Sequence, residues 1–416
     1  MNDLTEAVHV DFHSIVDAAF TLRWDSPLAH HTEVFHFPKL NVWRDLDLLP
    51  PPIQQEILGH APGDSGTQSF GPGELVPAWS ERNLLQVRDK QFNRNWRRQM
   101  RIEPRYGRYY PKGVLEDVDG VFRGDMHPAR LVSMGEGQLT FDCNHPLSRY
   151  PVQLEVAIGE IHPAGEEHGG RCNEVLETLL TGPGMQVRSD PARPTDFLSD
   201  KPFERMDPSN DALFYAMPRM LNHLDTVAQA QVRALYARLL GPGWRILDLM
   251  SSFNSHLPDE LLPARVTGLG MNREELEANP VLAERMVQDL NQDPHLPFEE
   301  STFDAVICTV SVEYLTDPFA VFREIARVLR PGGPFILPIS NRWFPPKAIN
   351  LWHNLHEFER PGLVLEYFLE SGQFEGLETF SVRGLNRPED DLHVHVSLFS
   401  DPIHAVWGRR RPDQGS

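Results

Sequence analysis

Apolar positions along this chain follow two rhythms, and the change between them divides the sequence. In the first part, Val8 to Trp24 and Glu33 to Leu40 contain alternating apolar stretches. Leu139 to Asp142 and Val152 to Ile161 alternate at period two and read as a hairpin-like pair around CNHPLSRYP. A short helix, IQQEILG, is expected from Ile53 to Gly59, stopped by its glycine. Residues 163 to about 210 are rich in Pro, Gly, Asp and Ser, with one helix expected from Cys172 to Leu180, and form the best linker candidate. From about 211, helix and strand alternate. Leu221, Leu224, Ala228, Val232, Leu235 and Leu239 share one helical face before Gly241-Pro242-Gly243. Strands are expected at Ile246–Leu249, Val266–Leu269, Met286–Leu290, Phe303–Val310 and Phe335–Ile339. A helix is expected from Pro318 to Leu329, capped by Asp317 and stopped by Pro331-Gly332-Gly333. Thr379–Leu385, and Val394–Phe399 or Ile403–Trp407, add final strands, one of them antiparallel. Such alternation with short connections predicts a mostly parallel sheet covered on both faces, hence an α/β domain preceded by a β-rich α+β domain.

A length of 416 residues makes two domains the expectation. The formal charge of -20 argues against nucleic acid as the main partner, because counterion release needs clustered Lys and Arg. The cluster Arg94, Arg97, Arg98, Arg101, Arg105 and Arg108 is a local exception, read as a solvated helix face followed by a loop, with an acidic partner as the alternative. Cys143, Cys172 and Cys308 are few and far apart, which fits a reducing compartment. The first residues carry acids and no long apolar core, and no run approaches the roughly 20 residues that span a bilayer. A cytoplasmic protein without membrane association is therefore expected. His162, His168 and Cys172 show no recognised zinc spacing, so no metal site is expected.

The most informative stretch is RILDLMSSFNSHLP, Arg245 to Pro258. A buried strand carries an acid, Asp248, and opens into a polar turn, as at the start of a nucleotide-binding α/β domain. The glycine positions of such a turn, spaced two apart, are here Met250, Ser252 and Asn254. A large side chain at the approach path and a non-glycine residue in a left-handed conformation both disfavour ligand binding. Against this, Ser251, Ser252, Asn254, Ser255 and His256 keep the turn small and polar.

With LPFEESTFDAVICTVSVEYLTDP from Leu296 to Pro318 and VLRPGG from Val328 to Gly333, residues 211–416 resemble a class I S-adenosylmethionine-dependent methyltransferase domain. The likeness is to a type 11-like subgroup carrying LDLMSS…SHLP, GLGMN and QDLN. The resemblance implies a Rossmann-like fold, S-adenosylmethionine as cofactor, and a methyl acceptor that the sequence does not name. It implies that Asp248 helps to hold the methionine end of the cofactor; capping the turn is the alternative role. It puts Asp289 by the adenine amino group, Leu290 beside the ring, and Ser311 to Tyr314 at the methyl-transfer centre. Met250, Ser251 and Ser252 would form the cofactor turn. The acid that normally grips the ribose hydroxyls is replaced by Gly270, and Asn272 is the candidate substitute. No catalytic residue is identified; Glu313, Tyr314 and His256 are candidates to face the cleft.

Residues 1–162 resemble a degenerate FKBP-type peptidyl-prolyl isomerase with an insert in the flap at about 80–135. The carrying motifs are LTFDCNHPLSRYPVQLEVAIGEI (139–161), LPPPIQQEILGHAPGD (49–64) and FGPGELVP (70–77). This resemblance implies a protein or peptide partner and an apolar aromatic pocket that twists an X-Pro bond, whose barrier of about 18–20 kcal/mol needs no charged catalyst. Phe35, Phe37, Trp43 and Phe141 are candidates for that pocket or for ordinary core. Two functions thus follow: a methyltransferase with an FKBP-like peptide-binding or isomerase domain, or a non-catalytic methyltransferase-fold scaffold acting as a chaperone or adaptor.

Overall fold

A computed structural model describes residues 9–96, 101–162, 172–261 and 265–412. Arg97, Arg98 and His168 lie outside the described residues. The strands are β1 (Ile15–Asp25), β2 (His30–Asn41), β3 (Ser65–Phe70), β4 (Leu84–Arg88), β5 (Tyr109–Pro111), β6 (Pro128–Gly135), β7 (Gln138–Asp142), β8 (Val152–His162), β9 (Arg245–Leu249), β10 (Arg265–Gly270), β11 (Leu282–Val287), β12 (Ala305–Ile307), β13 (Pro334–Ser340), β14 (Phe374–Arg383) and β15 (Ile403–Arg410).

The period-two rhythm of the first part builds a one-sided antiparallel layer. Along β1, Val16, Ala18, Phe20, Leu22 and Trp24 are buried while their neighbours are more exposed. β1 pairs with β2 on one side and β8 on the other, and β3 adds to β8. The helix Pro51–Gln55 closes this core through Ile53. β4, β7, β6 and β5 form a separate four-stranded sheet inserted between β3 and β8, around Val87, Phe92, Tyr110, Leu131 and Phe141. The hairpin expected between 139–142 and 152–161 does not form. β7 pairs with β4 and β6 instead, because alternation sets a strand's faces but not its partner.

In the second part the strand order is β11-β10-β9-β12-β13-β15-β14. The first five run parallel, and β15 is antiparallel to both neighbours. Helices Thr226–Leu239, Arg273–Ala278, Pro318–Val328 and Glu359–Ser371 cover the faces. Asp317 caps the third of these by accepting from the Ala320 N–H, as its sequence suggests. β11 sits about four residues earlier than expected, since Leu290 belongs to the loop beyond the strand. Val394–Phe399 is not a strand; the last one is Ile403–Arg410.

The two parts share one sheet. β14 pairs in parallel with β2, so eleven strands run continuously from β11 to β3. At the seam, His31 stacks on Trp24 and its Nδ1 lies 2.8 Å from the Thr379 hydroxyl. Segment 172–210, within the linker candidate, is packed over its first part and again at Phe197, and is largely exposed elsewhere. Val175, Leu179 and Leu180 enter the first core, Phe197 enters the second, and Gln186 donates to Glu33 at 3.0 Å. Arg108 pairs with Glu359 across the halves in a buried contact of 3.0 Å. The other described arginines of the basic cluster are likewise paired with acids: Arg94 with Asp89 and Glu103, Arg101 with Glu103, and Arg105 with Asp200. Among the described residues, no helix is long and apolar enough to cross a membrane.

Candidate functional site

In an open parallel sheet, ligands sit beyond the carboxyl ends of the strands where the order reverses. Here that point lies between β9 and β12, and it holds a cavity of about 410 Å³. Its size falls within the ordinary span of small-molecule sites, roughly 300–1,000 Å³. Asp248, Met250, Ser251, Ser252, Asn272, Asp289, Leu290 and Ser311 all line it.

The turn after β9 is held by its acid. Asp248 is buried, and one carboxylate oxygen accepts from the hydroxyls of Ser251 at 2.5 Å and Ser255 at 2.6 Å. Burial outweighs these two bonds and pushes its pKa up to about 6. The capping role thus occupies the carboxylate, although Asp248 still borders the cavity. Met250 stands at φ 57°, in the left-handed region where glycine is usual. His256 at φ 55° and Val310 at φ 41° are also cavity residues. A β-branched residue at positive φ is a genuine outlier, and strained backbone gathers at functional sites.

Gly270 ends β10 against this turn. A Cβ there would lie 2.1 Å from the Ser251 carbonyl oxygen, so no side chain fits. The sequence treats Gly270 as an acid lost from a position that still had room for one; the structure corrects this. Asn272 does not replace that acid. Its Oδ1 accepts from the Glu275 N–H, and its amide donates to the carbonyls of Tyr215 at 2.9 Å and Ala216 at 3.3 Å. Asn272 therefore caps the helix Arg273–Ala278 and ties down the chain at 215–216.

Asp289 accepts from the Asn291 N–H and the Gln292 amide, both at 2.9 Å. Leu290 is a buried wall residue. The Ser311 hydroxyl donates to the Thr309 carbonyl at 2.9 Å. Of the base candidates, Tyr314 and His256 reach the cavity and Glu313 does not. Glu313 is buried behind the loop, where its pKa rises to about 8. Burial lowers the His256 pKa to about 4, so its imidazole is neutral at pH 7. The Tyr314 hydroxyl accepts from the Phe344 N–H at 2.8 Å.

Several wall residues escaped the sequence reading. Tyr215, Arg219, His223, Trp343 and Phe344 close the outer side. The Arg219 guanidinium lies over the rings of Phe214 at 4.5 Å and Phe344 at 5.1 Å. Glu275 also lines the cavity. Its position three after Asn272 reads as an ordinary first-turn acid, which hid it.

The four aromatic candidates of the first part do not converge. Phe35 is in the core of the first sheet, with Phe37 and Trp43 half-buried, and Phe141 lies in the core of the inserted sheet. A separate groove of about 1570 Å³ runs between the inserted sheet, the 174–185 segment and the second part, lined by Leu75, Val76, Trp96, Tyr110, Leu176 and Leu351 among others. The NHPL loop borders it, and His145 contacts the Leu180 carbonyl at 3.2 Å.

Comparison with known proteins places the likeness in the second part. Residues 251–337 match the family model described as a methyltransferase domain. Methyltransferase GfsG of Streptomyces halstedii is 30% identical over 131 residues, 29% of this chain and 46% of that protein. The ubiquinone biosynthesis O-methyltransferase of Aeromonas salmonicida is 33% identical over 90 residues, 20% of this chain and 37% of its own. The matches thus span less than half the length of these curated relatives. Among solved structures, an S-adenosylmethionine-dependent methyltransferase from Mesorhizobium loti aligns at a TM-score of 0.29 and 19% identity, covering 44% of this chain and 98% of that one. The likeness to methyltransferase domains therefore lies within the C-terminal half, where the family model matches residues 251–337.

Proposed function

We infer that the chain is an S-adenosylmethionine-dependent methyltransferase whose cofactor lies in the cavity beyond β9, β10 and β12. The observation that carries this is an open cavity at the switch point, walled by three residues in left-handed backbone. A scaffold that had lost its ligand would have no reason to keep Met250 and Val310 strained around an empty space. Asp289 and Leu290 would receive the adenine, and Met250, Ser251 and Ser252 the methionine end. Bound there, the cofactor would supply a methyl group on a sulfonium for in-line displacement. Such transfer depends on proximity and alignment more than on a nucleophile of the protein. Tyr215, Trp343 and Phe344 would exclude water and pack on an acceptor with a flat or apolar face. Titration calorimetry with S-adenosylhomocysteine tests this. Binding at micromolar affinity is expected; no heat at millimolar ligand would leave only the scaffold.

The N-terminal half supports a second role. Its four antiparallel strands, the helix Pro51–Gln55 and the sheet inserted between β3 and β8 fit an FKBP-like unit over 1–162, joined through 163–210 to the methyltransferase unit 211–416. The 1570 Å³ groove exceeds what a small ligand fills, which favours a peptide partner.

A further inference from the structure

We propose that Glu275 is the ribose clamp of this site, moved one turn along from the position its fold ordinarily uses. The proposal rests on the cofactor assignment above. A ribose diol presents two hydroxyl donors, and a carboxylate with free lone pairs receives both. The cavity offers four carboxylates: Asp211, Asp248, Glu275 and Asp289. Asp211 is held by Arg205, Lys347 and Asn291. Asp248 is buried under Ser251 and Ser255. Asp289 follows β11, at the adenine end. Only Glu275 stands beside the end of β10, where Gly270 admits no side chain and Asn272 is consumed as a cap.

The surroundings of Glu275 fit the role. Its Oε2 accepts from the Ser252 hydroxyl at 2.6 Å, and its Oε1 accepts from the Arg219 N–H at 2.7 Å. These bonds fix the carboxylate from two sides, one from the turn after β9 and one from the outer wall. They use about half of its roughly four acceptor directions. The side chain is half-exposed, which leaves its remaining acceptor directions open to the cavity. Gly270 then has a positive reason: the Ser251 carbonyl fills its Cβ position, which brings Ser252 within reach of Glu275.

The test compares S-adenosylhomocysteine with its 2′,3′-dideoxy analogue by calorimetry, on wild type and Glu275→Gln. Wild type should prefer the hydroxylated ligand about tenfold or more, the worth of one charge-assisted hydrogen bond. Glu275→Gln should weaken S-adenosylhomocysteine to the level of the analogue and leave the analogue's affinity unchanged. Equal weakening of both ligands would reduce Glu275 to a prop for the loop and overturn the proposal. Preference retained in Glu275→Gln, or absent in wild type, would also overturn it while leaving the cofactor site intact. No binding of either ligand to wild type would remove the cofactor site and the clamp together. If Glu275→Gln fails to fold, Glu275→Asp withdraws the carboxylate by one methylene and should cut the preference in the same way.

Discussion

Gly270 shows how one position can be legible in type and wrong in meaning. The sequence places a glycine where an acid is usual, and the natural reading is a loss. The structure makes it a requirement, because the Ser251 carbonyl oxygen stands 2.1 Å from where a Cβ would sit. Gly270→Ala should therefore destabilise the protein by about 1–3 kcal/mol, the ordinary cost of overpacking, as the turn is pushed off β10. Gly270→Asp should be at least as destabilising and should weaken cofactor binding. Urea denaturation with the binding titration checks both; tighter binding by Gly270→Asp would mean that the turn yields freely. Asp248 carries the opposite lesson. Its place at the end of the strand was visible, but its two hydroxyl partners at 251 and 255 were only adjacent small polar residues in a string.

At the scale of elements, periodicity identified the parallel strands because β9, β12 and β13 are buried on both faces and read as continuous apolar runs. It missed the helix Glu359–Ser371, whose ERPG start looks like a breaker. Pro361 is tolerated in a first turn. At Gly362 a Cβ would come 3.0 Å from the Gln186 carbonyl oxygen, a close approach that no local pattern announces. The loop after β12 was recognised, but not that Glu313 turns inward. Its Oε2 has no hydrogen-bond partner among the described residues, and burial raises its pKa from 4.5 to about 8. A raised carboxylate binds its proton more tightly in the folded state. Its contribution to stability is full below pH 4.5 and is lost as pH rises through about 8. Glu313→Gln should thus match wild type near pH 4 and exceed it at pH 9 by on the order of a few kcal/mol. Melting curves across that range decide it; parallel pH profiles for the two proteins would mean that the carboxylate ionises freely.

At the scale of the molecule, the change of rhythm near residue 211 marks two folding patterns, and one continuous sheet runs through both. Local periodicity carries no information about which sheet edges meet, so the pairing of β2 with β14 was invisible in the sequence. That pairing removes an exposed edge from each half. The buried Arg108–Glu359 pair and the segment from Val175 to Phe197, which enters both cores, strengthen the junction. Separating the halves would part this ion pair and bare the apolar side chains of that segment to water. The whole chain should therefore unfold in one calorimetric transition, with calorimetric and van't Hoff enthalpies that agree. Residues 211–416 produced alone should aggregate or melt well below the full chain, because the β14 edge then lies open. Glu359→Gln in the full chain should lower that single transition without splitting it. Two resolved transitions in wild type, or an isolated C-terminal half as stable as the whole, would show that the seam is only a contact between independent domains.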